Sequence, residues 1–250
     1  MGRDLLGKGL RDVRVAVVGW TLGLSAYATL LLAAYPSVRD NEALAAYVES
    51  LPEQMLAFFG GADLTTVGGY FQAELFSYLP ALLAVFTVGK AIASTVGEEE
   101  SGAMDLVLAQ PVPRWQVFAS RFGSLAIATT LIATGLAVTL AVGGAIVGIA
   151  GANIVALAAW CYLGALLALV FGAATMAVGA LASSRRAPLV VGAALAAGTF
   201  LVDGIARLVD QLDPYHQANP YHWYALTNPV AGEVSWWGLG GLLDCRTCFA

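Results

Sequence analysis

The chain has 250 residues, of which 59% are hydrophobic and 12% charged, with a formal net charge of −5. The charged share is about half that of a typical soluble domain, which places the chain in a bilayer. It carries no basic patch, so a nucleic-acid partner is not expected.

Residues 1–14 carry Arg3, Lys8, Arg11 and Arg14 interleaved with Leu5, Leu6 and Leu10. This pattern fits either an amphipathic helix on the membrane surface or a basic flank that sets orientation. Residues 15–35 are uncharged and outrun the roughly 7–15 apolar residues of a cleavable signal, so they form a retained first span. Pro36 is expected to end it. An acidic outer loop, 36–70, follows with Asp40, Glu42, Glu49, Glu53 and Asp63. In it Ser50-Leu51-Pro52-Glu53 reads as a helix start and Gly60-Gly61 as its end.

The second span covers 71–96, where Pro80 predicts a kink and Lys90 is expected to snorkel to the interface. A polar segment, 97–121, separates it from the third span, 122–147. Between Arg121 and Arg185 no Asp, Glu, Lys or Arg occurs in 63 residues. At about 1.5 Å per residue against about 30 Å of hydrocarbon, that is two crossings. The turn signal Gly151-Ala152-Asn153 divides them, which sets the fourth span at 154–182. Gly144 and Gly148 have the spacing of close helix packing. A basic turn, 183–188, leads into the fifth span, 189–208.

Residues 209–250 begin as an aromatic interfacial loop with Tyr215, Tyr221, Trp223 and Tyr224. A sixth span starts at Ser235-Trp236-Trp237 but meets Asp244 after about nine apolar or small residues, where a crossing needs about 20. It is expected to be missing or incomplete. The predicted fold is an all-α membrane protein, a polytopic helical bundle of five spans plus a short or truncated sixth.

Basic residues set the orientation. With the N-terminus in the cytoplasm, nine Lys and Arg side chains fall inside and only Arg39 and Arg207 outside the membrane before residue 210. Segment 97–121 is then cytoplasmic. It reads Gly97-Glu98-Glu99-Glu100-Ser101-Gly102-Ala103-Met104-Asp105-Leu106-Val107-Leu108-Ala109-Gln110-Pro111-Val112-Pro113-Arg114. Three acids at the mouth of a span, a short apolar helix, a proline break and an arginine fit a helix that docks into a protein groove. The bland alternative is a solvated charge run that ends a helix.

This segment resembles the first cytoplasmic loop of ABC-type exporter permeases of the type-2 class. Their loop carries paired glutamates shortly before Gly-Thr, then aliphatics with an acid, then Pro, Val or Ile, x and Arg. Glu99, Glu100, Gly102, Asp105, Leu106, Leu108, Pro111, Val112 and Arg114 occupy those places, Arg121 fits a later basic position, and Ala103 replaces the usual Thr. The resemblance implies a permease subunit of an ATP-driven exporter in the plasma membrane. It implies a cytoplasmic ATPase subunit and a second permease copy or paralogue as partners, with membrane lipids around them. The ATPase-coupling residues it points to are Glu98, Glu99, Glu100, Gly102, Met104, Asp105, Pro111 and Arg114. No phosphate-binding G-x-x-x-x-G-K-[ST] loop occurs in this chain, so ATP and magnesium are expected on the partner and no cofactor or enzymatic activity on this subunit.

Other constellations are weaker. Asp203 and Arg207 stand four apart on one helix face and fit a structural ion pair. Asp213, His216 and His222 lack metal-ligand spacing, and Cys245 and Cys248 form an isolated CxxC. Cys161 reads as a packing residue. A secondary transporter would need acids within the spans, and the third and fourth contain none. A non-transporting anchoring or assembly subunit shares every feature but a translocation path.

Overall fold

The computed structural model describes residues 2–39, 41, 66–100, 113–148, 154–182, 184–206 and 219–226. These residues are helical, with no strand among them. Five helices are long and apolar enough to cross a membrane. In hydrocarbon each backbone N–H and C=O must be paired within the protein, and a helix does this without help from neighbours. The chain is an all-α polytopic membrane protein.

The first helix, α1, runs from Gly2 to Arg39 without a break. The basic segment 2–14 is therefore continuous with the helix of the first span. Nor does Pro36 end the helix, which continues for three more residues. A proline so near a C-terminus removes the donor for one carbonyl only. The turn before it is fixed by packing, since Leu32 and Tyr35 are buried and the Tyr35 ring lies 5.4 Å from that of Tyr70.

The second apolar stretch is built in pieces. Helix α2 (Val67–Phe71) is capped by the Thr66 hydroxyl, which accepts from the Gly69 N–H at 3.1 Å. A π-helical turn (Gln72–Phe76) follows, then α3 (Leu79–Ala93) and α4 (Val96–Glu100). The second span is interrupted just before Pro80. The proline occupies the first turn of α3, where its missing N–H costs least, and the irregularity falls on the π turn before it.

The third and fourth spans are α5 (Arg114–Val147) and α6 (Ile154–Gly179), and the fifth is α7 (Arg186–Ala206). Helix α5 starts eight residues before the third span predicted from charge. Gly148 ends it in the left-handed conformation, φ 66°, the only positive φ among the described residues. Gly148 is thus a helix cap, and within this chain Gly144 meets no neighbour within 4 Å. A short helix, α8 (Pro220–Leu226), completes the described fold.

Spans two and four form the centre, with spans one and five largely exposed. Helices α1 and α5 run parallel. Contacts ascend both together: Gly9 beside Ser124, Thr21 beside Gly135, and Leu32 beside Gly143. The Ser25 and Thr139 hydroxyls lie 2.9 Å apart between them. At the centre the Thr87 hydroxyl of α3 donates to the Ala168 carbonyl of α6 at 2.7 Å. A Cβ on Gly192 of α7 would lie 2.8 Å from Val88 and would collide with the Thr175 hydroxyl. Small residues at these crossings bring the backbones together, which is how apolar helices associate when lipid offers no hydrophobic drive.

One end of the bundle gathers the acids and arginines around Glu98, Arg121 and Arg185. The other gathers Tyr35, Tyr70, Phe71, Phe76, Tyr221 and Tyr224, all buried.

Candidate functional site: an ion-paired cluster at the basic end

Helix α3 ends at Ala93 with Ser94 as its cap, and Thr95 leads into α4. The Thr95 carbonyl accepts from the N–H groups of both Glu98 and Glu99, at 3.2 and 3.3 Å. Thr95 itself is buried, its hydroxyl donating to the Ala91 carbonyl at 2.8 Å. A Cβ on Gly179 of α6 would strike that hydroxyl. The turn carrying the acids is therefore clamped between its own helix and the end of the fourth span.

From this turn two carboxylates reach arginines of the same chain. Arg121, on the first turns of α5, forms an ion pair with Glu98 and donates to the Ser94 carbonyl. It places a cation on the C-terminus of α3, where unpaired carbonyls and the helix dipole favour one. The Arg121 side chain is 12% exposed and that of Glu98 28%, so this pair is well shielded from water. Arg185, in the turn before α7, donates from Nε to Glu100 Oε2 at 2.6 Å. Both of those side chains are about half exposed, and such a pair contributes at most about 1 kcal/mol. Glu99 stands between them, exposed.

Arg121 and Arg185 are the two charges that bound the 63-residue uncharged stretch. A two-span hairpin returns to the side it left, so both come back to the same acidic turn. That signal was present in the sequence. What it lacked was the pairing, because the acids of a docking loop look alike whether they face a partner or their own chain. Two of the three acids that the resemblance ascribes to ATPase contact, Glu98 and Glu100, are engaged within this chain. Arg114 opens α5 behind Pro113, whose extended backbone (ψ 141°) leads into the helix. Next to it Trp115 is 68% exposed. Gly102, Met104, Asp105 and Pro111 lie outside the described residues.

The model of the ABC-2 family transporter proteins matches residues 6–234. The chain belongs to this family. It is the permease component of an ABC transporter, a multi-pass membrane subunit. Searches of the curated proteins and of the solved structures returned no match.

The remaining candidates of the permease are resolved in part. Asp203 is buried in α7, while Arg207 lies outside the described residues. His222 packs edge-on to Trp223 at 5.7 Å. Asp213, His216, Cys245 and Cys248 lie outside the described residues, and among those described no group of three or more His, Cys, Asp or Glu is placed to hold a metal. Cys161 is fully buried and free.

Proposed function

We propose that this permease works as one half of the membrane path of an ATP-driven exporter in the plasma membrane. A second permease copy or paralogue supplies the other half, and a separate cytoplasmic ATPase binds ATP and magnesium. The observation that carries this reading is the acidic turn that joins three spans. Glu98 ties the end of the second span to Arg121 of the third, and Glu100 ties it to Arg185 before the fifth. A push delivered to this turn is passed to all three at once, through paired and partly shielded contacts. The exposed Glu99 carboxylate, with Arg114 across the loop, offers the charge that a cytoplasmic partner reads. The loop residues Gly102, Met104, Asp105 and Pro111 complete the docking segment on this reading.

The test is co-purification from mild detergent. With Glu99→Lys, recovery of the ATPase subunit should fall while the permease still inserts and remains monodisperse. Glu100→Gln breaks a contact internal to the permease and should leave recovery closer to that of the parent chain. Equal ATPase recovery with Glu99→Lys and the parent chain would reject Glu99 as a docking group, and no ATPase in any preparation would count against the exporter reading.

A further inference from the structure

At the aromatic end, the second span depends on side chains from elsewhere to pair its backbone. Pro80 has no N–H, so the carbonyl four residues earlier, that of Phe76, loses its ordinary helical donor. The Tyr224 hydroxyl of α8 donates to that carbonyl at 2.8 Å. Three residues before Ser77, in the π turn, the Glu74 carbonyl accepts the Tyr27 hydroxyl of α1, also at 2.8 Å. Ser77 gives both its N–H and its hydroxyl to the Gln72 carbonyl, at 3.0 and 2.7 Å. The break spanning 72–80 is thus braced from two sides, by α1 and by α8.

Helix α8 is itself docked on the bundle. The Asn219 amide donates to the Thr199 carbonyl of α7 at 2.7 Å, and its oxygen accepts the Tyr221 N–H at 3.0 Å. Tyr221 packs against Phe200 at 5.6 Å and Phe171 at 6.2 Å, and Phe76 stacks on Trp160 at 4.5 Å. Inside this cluster two donors, Trp160 Nε1 and the Tyr221 hydroxyl, are buried without a hydrogen-bond partner among the described residues. Buried donors left unpaired disfavour the arrangement that buries them. The closed cluster is therefore held by the Tyr224 bond against a built-in pull to open.

We propose that α8 is a latch on a hinge in the second span: Tyr224 holds segment 72–80 closed over Trp160 while Tyr221 is buried on Phe171 and Phe200, and release of α8 opens the aromatic end of the bundle. Opening gives both orphan donors access to water or to an acceptor on a passing molecule, and the broken helix at Pro80 supplies the pivot. The latch rests on the transport reading for its purpose, but its mechanics belong to the permease alone.

Cys161, fully buried and one turn from Gly164, where a Cβ would lie 3.6 Å from the Tyr224 hydroxyl, reports the state of the cluster. The experiment uses the full chain with Cys245→Ser and Cys248→Ser in lipid nanodiscs, without ATPase, and follows alkylation of Cys161 by N-ethylmaleimide. Tyr224→Phe should speed labelling about tenfold, the effect of losing one hydrogen bond that closes the cluster. Pro80→Ala returns an N–H to the Phe76 carbonyl, so in Pro80→Ala/Tyr224→Phe labelling should fall back to the rate of the parent chain. Tyr221→Phe removes an orphan donor and should slow labelling. Two results would overturn the latch: a double variant that labels as fast as Tyr224→Phe, or a Tyr221→Phe that labels faster than the parent. Because no ATPase is present, neither result depends on whether the exporter reading holds.

Discussion

The Thr87 hydroxyl of α3 donates to the Ala168 carbonyl of α6 at 2.7 Å, in the buried centre of the bundle. This is a side chain from the second span bonded to the backbone of the fourth, at a place where Gly172 clears the space for it. Replacing Thr87 with Val keeps the shape and removes the donor. Interhelical hydrogen bonds in membranes contribute about 0.6–2 kcal/mol, so Thr87→Val should lower stability by about 1 kcal/mol, measured by denaturant unfolding in detergent. No change would mean that the hydroxyl serves only to fill space.

Gly192 offers a sharper test of packing. Its Cβ position lies 2.8 Å from Val88 and on top of the Thr175 hydroxyl. Gly192→Leu should detach α7 from the centre and cost about 1–3 kcal/mol, as overpacking does. Gly198, which meets no neighbour within 4 Å, is the matched control, and Gly198→Leu should be nearly neutral in the same melting experiment.

The two ion pairs at the basic end should differ in strength. Glu98→Ala leaves the shielded Arg121 without its carboxylate and should cost about 1–3 kcal/mol. Glu100→Ala opens a pair that is about half exposed and should cost less than about 1 kcal/mol. Raising salt should narrow the second effect more than the first. A double-mutant cycle for each pair, read by thermal unfolding, checks the order.

Much of this fold could be read from the chain. Five spans follow from hydropathy and length alone, and the hairpin of α5 and α6 follows from the uncharged run bounded by Arg121 and Arg185. The site was legible only as a segment. Glu98, Glu99 and Glu100 look equivalent in sequence, yet the helical turn of α4 points two of them at arginines and leaves Glu99 exposed. Pro36 was misjudged, because the local rule gives the cost of the missing N–H while whether the helix ends there depends on packing far away in sequence, here Tyr35 against Tyr70. At Pro80 the interruption was legible, but not its bracing by Tyr224. Gly148 shows a use that spacing does not reveal: it ends α5 in the left-handed conformation.

Alkaline pH gives an independent view of the aromatic end. Burial, and then the nearby Asp203 carboxylate, raises the Tyr221 phenol above its ordinary value, and burial raises that of Tyr224 well above it. In the unfolded chain a tyrosine ionises near pH 10. The folded state therefore holds these protons where the unfolded state has lost them. Stability is fully present below about pH 10 and declines as pH rises beyond it. Melting temperatures taken from pH 7 to 11 should fall at the alkaline end, and less steeply in Tyr221→Phe/Tyr224→Phe. An equal slope in the two proteins would remove these phenols as the cause.

The orientation deduced from basic residues is checked by single cysteines. One at Ala43 should react with an impermeant maleimide added outside cells, and one at Ala103 should not. The reverse pattern would invert every span.

The bond between Tyr224 and the Phe76 carbonyl joins positions 148 residues apart. A ribosome adding about 5–20 residues per second releases Phe76 roughly 7–30 s before Tyr224 exists. For that interval the second span lacks the donor that pairs its Phe76 carbonyl in the finished fold. The order of synthesis thus leaves the aromatic end of this permease without its brace until the last described helix arrives, and a chain halted before Tyr224 should be the species that quality-control proteases recognise first.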